Sequence, residues 1–536
     1  MKKLKLVCVA IAMAGAAPTF AGGLLTNTNQ HVAFNRMMSR EASIGIDGVY
    51  YNPAGVVFMG EGHHLAINWQ LAYQTRTINN DYKLFTNNVN NPITPRDFKG
   101  KAFAPVIPSF QYAYNKGKWS FQANFALTGG GGKCTFDDGL GSFEKIVSET
   151  AIAACGLAGV VDQTLGNTLG QQGMEMFTSD QAFGKTGKYS FNSYMHGRQY
   201  YYGLSAGAAY KFCDNFSAFL GVRGVYALTN YYGYVENINV GNMPLYKVLD
   251  PTKENAANIE LSCDQTGVGF TPIIGVDYKT GRWNFSAKYE FKTRIRLKNK
   301  SVNQTPSIGN LPANLANQMT GILTAKYQQA GLPLEQAKQQ AENTTNTVLS
   351  DPKVGATMMG LKTQFDQKLN KAIGEYEDGK KIAGDIPGYL ALGIGYSPVD
   401  AVRVNVGFHW FDDKNATSYN NRNKELKRGT LEYNAGVEVD VNKKITLSTG
   451  WQNTNYGLSD EYMDDKSFVV SSNSAAIGGV YHINKKMDLN VAYFHTFYQH
   501  KKTSETVQLA ADKSIVYNSD YTRNNNVFAV GLDINF

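Results

Sequence analysis

The chain is predicted to be all-β: a 14-stranded antiparallel transmembrane β-barrel with a small N-terminal plug and helical extracellular loops. Three observations lead there. Short segments from His63 to Phe536 alternate apolar residues with polar or small ones. The connections between them alternate between tight and long. The chain also begins as an export signal, and after it no stretch approaches the roughly 20 apolar residues of a spanning helix.

The first element is the signal. Met1-Lys2-Lys3-Leu4-Lys5 precedes an apolar run from Leu6 to Ala17, and Pro18-Thr19-Phe20-Ala21 ends in a small residue, so residues 1–21 read as a secretory signal peptide. Cys8 lies inside the apolar run, too early for lipid attachment. An exported chain of this kind is soluble outside the inner membrane or forms a barrel in the outer one. Composition favours the barrel: 53 Gly, 32 Tyr and 28 Phe stand beside only 18% charged residues, suiting crowded strands and aromatic girdles. The formal charge of +8, less Lys2, Lys3 and Lys5, leaves +5. Its basic residues are dispersed and do not cluster with aromatics, which argues against a nucleic-acid partner.

Residues 22–62 lack regular alternation and are expected to fold back into the lumen as a hatch, with residues 63–536 as the barrel. The first strand, His63–Thr75, sets Leu65, Ile67, Trp69, Leu71 and Tyr73 against Ala66, Asn68, Gln70 and Gln74. The third sets Trp119, Phe121, Phe125 and Leu127 against Ser120, Gln122, Asn124 and Thr128. The seventh sets Trp283, Phe285, Tyr289 and Phe291 against Asn284, Ser286, Lys288 and Glu290; the ninth sets Val402, Val404, Val406 and Phe408 against Arg403, Asn405 and His409. A period of two in which one face is oily and the other polar fits lipid outside and a polar lumen. The alternative is a secreted sandwich or propeller, whose strands also alternate but hide the oily face between sheets.

Six tight turns are expected at Asn115–Lys118, Cys213–Asn215, Lys279–Arg282, Ser397–Asp400, Asn442–Lys444 and Asn484–Lys486, where Asn, Gly, Asp and Pro supply hairpin chemistry. Seven longer connections fall between them. Two are large, spanning 129–197 and 299–384. The second reads helical over Leu311–Ala330, Leu334–Leu349 and Val354–Tyr376, with Leu315, Met319, Ile322 and Leu323 at helical spacing. That stripe either packs the helices onto the barrel mouth or lines an apolar landing groove. Cys134 and Cys155 fall in one predicted loop and are a disulfide candidate; Cys213 and Cys263 lie at opposite ends of the barrel.

Within the hatch, Asn52-Pro53-Ala54-Gly55 is a rigid tight turn, weak as a signal by itself. Together with Gly22-Gly23-Leu24-Leu25-Thr26-Asn27, Arg40-Glu41-Ala42-Ser43 and Asp47-Gly48-Val49-Tyr50-Tyr51, it resembles the hatch of FadL-type outer-membrane transporters, the long-chain fatty-acid and aromatic-hydrocarbon carriers. The resemblance covers residues 22–75 most closely, and the family's Asn-Pro-Ala hatch motif falls on Asn52, Pro53 and Ala54. It implies a multi-pass protein of a Gram-negative outer membrane, set among lipid and lipopolysaccharide and acting as a monomer. It implies passive uptake of hydrophobic small molecules: cargo enters an outer groove, passes to a lumen pocket and leaves sideways beside a kink in the third strand. Here that strand runs into Gly129-Gly130-Gly131-Gly132, read either as a gate-related bend or as a flexible loop entry.

Strand parity directs Arg223, Lys288, Lys292 and Arg403 to the lumen, with Glu290, His409, Glu432 and Glu438. These four cations are candidates to hold a ligand carboxylate; the competing reading is that they pair with the acids or with the plug. Catalysis is not expected. Gly203-Leu204-Ser205-Ala206-Gly207 matches a hydrolase pentapeptide but lies inside a strand, and the eight His show no metal spacing, so neither metal nor cofactor is expected. A nonspecific porin and a surface receptor or adhesin remain as alternatives to the transporter.

Overall fold

The computed structural model describes residues 25–26, 29–171, 173–306, 310–510 and 513–536. The expected signal peptide and its cleavage site lie outside the described residues.

The wall is a closed antiparallel barrel of fourteen strands. They are β1 Gly62–Tyr82, β2 Arg96–Lys116, β3 Trp119–Phe136, β4 Tyr189–Lys211, β5 Phe216–Val240 and β6 Ile259–Thr280. β7 is Trp283–Glu290 continued by Arg296–Gln304, and β8 is Lys381–Ala383 continued by Tyr389–Val399. The remainder are β9 Val402–Phe411, β10 Arg428–Asn442, β11 Ile445–Gly457, β12 Ser472–Asn484, β13 Met487–Tyr498 with Lys501–Ala510, and β14 Lys513–Asn535. Each strand pairs with its chain neighbours, and β1 closes the barrel on β14 from His64 opposite Asn535 to Tyr82 opposite Tyr517. Two backbone bonds between His63 and Phe536, of 2.8 and 2.9 Å, finish the seam.

The barrel is inside out relative to a soluble protein. Leu220 is 69% and Phe270 67% exposed on the outer face, while Asn68, Gln70, Gln111 and Asn124 are buried on the inner one. Such an oily exterior around a polar lumen suits a hydrocarbon surround. Near the tight turns the outer face becomes aromatic, with Trp119 against Tyr210 at 4.7 Å and Trp283 against Tyr396 at 4.3 Å. Five of the six tight turns stand where the sequence puts them, with Gly117 and Gly281 supplying the positive φ at two; the fourth falls at Asp400–Ala401, because residues 397–399 continue β8 and Val399 pairs with Val402.

Above the wall the boundaries shift. Residues 129–136 and 189–197, read as loop, are paired strand, so the first large connection shrinks to 137–188 and the second to 305–380. The outermost seventh connection is no loop either, because Lys501–Ala510 continues pairing with β14. Among the described residues seven α-helices lie inside or above the barrel: α1 Val32–Arg36 and α2 Gly48–Tyr51 in the hatch, then α3 Gly141–Leu169, α4 Tyr246–Leu249, α5 Leu311–Gln329, α6 Leu334–Leu349 and α7 Pro352–Ile373. The last three match the helical reading closely. α3 is unanticipated, and by length and composition it is apolar enough to cross a membrane, contrary to the sequence expectation. It packs instead on the mouth, where Glu144 takes bonds from Asn88 and Tyr189 at 2.9 Å each and an ion pair from Arg96. Lys145 meets Glu505 at 2.9 Å.

The Cys134–Cys155 disulfide is not formed: both thiols are free. Cys134 sits on β3 in a cluster with Ile78 and Phe136, whereas Cys155 sits on α3 in a separate cluster and donates to the Phe183 carbonyl at 3.3 Å. Extending β3 through residue 134 removed Cys134 from the loop that was to bring the two together.

Candidate functional site

Three features make up the candidate site: an outer apolar cleft, a chamber in the lumen, and a hatch beside an interrupted wall.

The cleft lies among α3, α4, α5 and α7. It encloses about 100 Å³ lined by Ala154, Leu157, Phe183, Val248, Leu315 and Phe365, among others. The helical stripe divides between both of its expected roles. Met319 and Leu323 are buried in the packing of the mouth, Leu315 also borders the cleft, and Ile322 is 38% exposed.

The hatch fills the lower lumen and is bound to the wall all round. Its Asn52 donates to Asp277 at 2.6 Å while its side-chain oxygen accepts from Gly55 N at 3.2 Å. Gln122 donates to the Pro53 carbonyl and Ser217 to the Ala54 carbonyl, each at 2.7 Å. A Cβ on Gly55 would stand 2.3 Å from Asn52 Nδ2, so a side chain there would have to displace the Asn52 amide that bonds Asp277. The motif thus joins β3 and β5 through the Pro53 and Ala54 carbonyls and β6 through the Asn52 side chain, in a tight turn that proline and asparagine favour.

A charged layer lies beside it. Arg36 pairs with Glu438 and donates to Ser448 at 3.0 Å. Arg40 grips Asp47 at 2.7 Å and reaches Glu438 at 3.7 Å. Glu41 meets His409 at 2.7 Å, and His409 meets Glu432 at 2.8 Å. Burial alone would raise the Glu41 and Asp47 carboxyls; His409 beside the one and Arg40 beside the other carry both below the usual carboxylate range. Where the hatch backbone touches the wall, side chains are excluded: a Cβ on Gly450 would lie 2.4 Å from Met38 N, and one on Gly393 2.7 Å from Ala42 N.

The four proposed ligand cations belong to this layer or to the mouth. Arg223 holds Glu290 through two bonds of 2.6 and 3.0 Å. Lys288 bonds Glu290 at 2.9 Å and the Tyr50 carbonyl at 2.7 Å, with its ammonium 4.1 Å from the Tyr50 ring. Arg403 joins Glu438 at 2.8 Å and Asp440 at 2.5 Å. Lys292 donates to the Asn415 carbonyl at 2.9 Å and lies 3.9 Å from Asp385. Of the two readings the sequence left open, pairing with lumen acids and plug is the one the geometry displays. Drawing a cation out of such a buried pair would leave its carboxylate uncompensated, which costs several kcal/mol.

Above the hatch lies a chamber of about 330 Å³. Its wall includes Thr26 and Asn29 of the hatch, Gln74 and Arg76 of β1, residues 102–109 of β2, Gly130 and Gly132 of β3, and Arg523 and Val527 of β14. Here the β2–β3 ladder is interrupted, with no pairing between Ala102 and Ser109. On the facing side β3 slips against β4 at Leu127/Gly129 and again at Gly130/Lys133. Gly130 has φ +83°, and a Cβ there would stand 2.5 Å from the Gln199 carbonyl. The glycine run therefore sits within an irregular strand at the edge of a gap, not in a loop. Gln30 of the hatch reaches into this break: it donates to the Leu127 carbonyl at 2.7 Å, and its own carbonyl accepts from Ser109 at 2.7 Å and Gln111 at 2.9 Å. Asn29 beside it exchanges two bonds of 2.7 Å with Gln70. Neither Gln30 nor the β2 interruption was legible beforehand, although Pro105 and Pro108, which cannot donate to a ladder, marked the place.

No protein-family profile matches the chain, and no curated protein matches it by sequence. Solved structures do. A FadL homologue from Pseudomonas aeruginosa superposes with a TM-score of 0.57 at 14% identity, over 96% of this chain and 100% of that one. A deltaS2S3 mutant of the monoaromatic hydrocarbon channel TodX gives 0.50 at 13% identity, over 94% and 98%. The toluene transporter TodX of Pseudomonas putida gives 0.49 at 13% identity, over 96% and 100%. The chain has the FadL-type fold: a 14-stranded barrel with an N-terminal segment and helix inside.

Proposed function

We propose that the protein is an outer-membrane transporter of the FadL type, through which hydrophobic small molecules pass without an energy source. The observation that carries the proposal is the break between β2 and β3, which adjoins the chamber and is occupied by Gln30 of the hatch. Cargo settles in the apolar cleft between α3 and α5, moves to the chamber, and leaves sideways through the break once residues 29–30 withdraw. The oily outer wall and aromatic girdle place the barrel in a lipid bilayer. A hatch bonded to several strands is unsuited to a porin, which needs an open water path. The solved relatives, described as a FadL homologue and as hydrocarbon channels, support the cargo class.

The test uses a Gln30→Cys, Leu127→Cys pair in a background where Cys134, Cys155, Cys213 and Cys263 are serine. Cells carrying the protein should accumulate a radiolabelled hydrophobic probe faster than cells with empty vector. The oxidised pair should abolish that gain and reductant should restore it. Steady porin-like conductance of the unmodified protein in a planar bilayer, or uptake equal to empty cells, would reject the reading.

A further inference from the structure

The outer face of β7 changes character as the strand climbs. Phe285, Tyr289 and Phe291 lie on it first; Arg294, Arg296, Lys298 and Lys300 follow at alternate positions, all four exposed, with Ile295, Leu297 and Asn299 buried between them. On the neighbouring β8, Lys381 is also exposed and stands directly opposite Lys298. Like charges placed so destabilise a sheet. The acids nearby do not cancel them. Asp385 is shared between Arg296, at 2.8 Å, and Lys292, at 3.9 Å. Asp264, opposite Lys300 on β6, accepts from Asn230 at 2.8 Å. Arg294, Lys298, Lys300 and Lys381 have neither an ion pair nor a side-chain hydrogen bond among the described residues. By contrast Lys99, exposed on β2, has Asp97 at 3.2 Å.

The height of this ladder in the wall gives it a meaning. Trp283 belongs to the aromatic zone near the tight turns. From there to Arg294 the strand rises roughly 28 Å along the barrel axis, at about 3.3 Å per residue and a tilt of about 40°, while an apolar band is about 25 Å tall. The cations therefore begin where hydrocarbon gives way to headgroups, on the side of the long loops. Beside them on β6 the oily surface continues. Val268 is 58% and Phe270 67% exposed, and the glycines flanking them, Gly267 and Gly269, abut the Arg296 and Arg294 carbonyls. Exposed apolar side chains next to unneutralised cations fit an amphiphile with acyl chains and an anionic head, and the flexible stems of Lys and Arg raise their charges toward that head.

We infer that this face of β6, β7 and β8 binds a phosphorylated, multiply acylated glycolipid of the outer leaflet. Its acyl chains lie along Phe270 and Val268, and its phosphates sit among Arg294, Lys298, Lys300 and Lys381. Arginine forks take phosphate oxygens in pairs, and lysines supply point charges. The site lies outside the lumen, so it stands or falls separately from the transporter reading.

The experiment is native mass spectrometry of the purified protein in non-ionic detergent, titrated with lipid A bearing both phosphates and with the same lipid after dephosphorylation. The unmodified protein should bind the phosphorylated lipid at least roughly tenfold more tightly, as charge-assisted bonds imply. Arg294→Gln with Lys298→Gln and Lys381→Gln should abolish that preference, with folding verified by heat-modifiable electrophoretic mobility. Lys443→Gln with Lys444→Gln and Lys485→Gln, at tight turns on the other end of the barrel, should keep it. Inorganic phosphate at the concentration of the lipid should displace none of it. Equal affinity of the unmodified protein for both lipids overturns the inference. So does a folded ladder variant that retains the preference, equal loss in the turn variant, or displacement by free phosphate.

Discussion

The lower and upper halves of this lumen are built from the same strands but treat charge oppositely. Around the hatch, cations and acids from the plug and wall interlock until each has a partner. In the chamber above, two arginines face each other over one amide oxygen. The contrast separates cations neutralised by carboxylates from cations held by neutral groups. A lumen-facing cation by itself does not say which kind it is; its neighbours do.

The most severe way to break this contrast is to make the lower half resemble the upper. Glu438→Gln removes the acid shared by Arg36, Arg40 and Arg403. Arg40 keeps Asp47 and Arg403 keeps Asp440, but the buried Arg36 loses its carboxylate, which should destabilise the seated hatch by about 3–5 kcal/mol. Steady bilayer conductance should rise sharply, and protease should gain access to residues 29–60. A variant that stays closed would show that the hydrogen bonds of Asn52–Ala54 alone hold the plug.

The roof of the chamber offers a reversible perturbation. Burial raises the Glu375 carboxyl to about 7 despite nearby Lys466, and raises Asp413 on the mouth to about 7 despite its bonds from Thr430. For an acid raised in the folded state, the folded form binds more protons between the ordinary value and the shifted one. Stability of the mouth therefore falls as pH rises to about 7, from 4.5 for Glu375 and from 3.8 for Asp413, by roughly 3–4 kcal/mol per group at most. Hydrogen exchange over residues 374–385 and 412–427 should speed up across that window, while the hatch, whose Glu41 and Asp47 are shifted down, should remain protected. Matching pH profiles in both regions would refute the distinction.

The mildest test presses on contact, not charge. Gly450→Ala sets a methyl group against the Met38 backbone, and Gly393→Ala against Ala42. Overpacking of this kind costs about 1–3 kcal/mol. It should loosen the hatch slightly, seen as brief openings in single-channel records, and leave binding in the chamber unaltered.

Much of the fold was legible because strand periodicity is local. Trp283 and Asn284 announce opposite faces with no knowledge of what surrounds them, and Lys279–Arg282 announces the turn before them. The hatch motif was legible for the same reason, four residues whose backbone preferences are their own. α3 was missed although Val147, Ala151, Cys155, Ala158, Val161 and Leu165 recur at helical spacing, because Gly and Thr dilute the pattern. Arg76 was missed by a single position, since the first strand was expected to stop at Thr75 yet continues to Tyr82.

Sequence alone determined the barrel, its strand number, most of its turns, the helices of the second large loop and the identity of the plug, because alternation, turn chemistry and capping act over a few residues. Tertiary structure alone decided which lumen cations are satisfied and which are not. Arg76 meets Arg523, and Arg36 meets Glu438, across more than four hundred residues of chain. Such meetings follow from the register in which the barrel closes and the depth at which the hatch seats, and the net effect of a charge inside a low-dielectric lumen depends on the neighbour that register delivers.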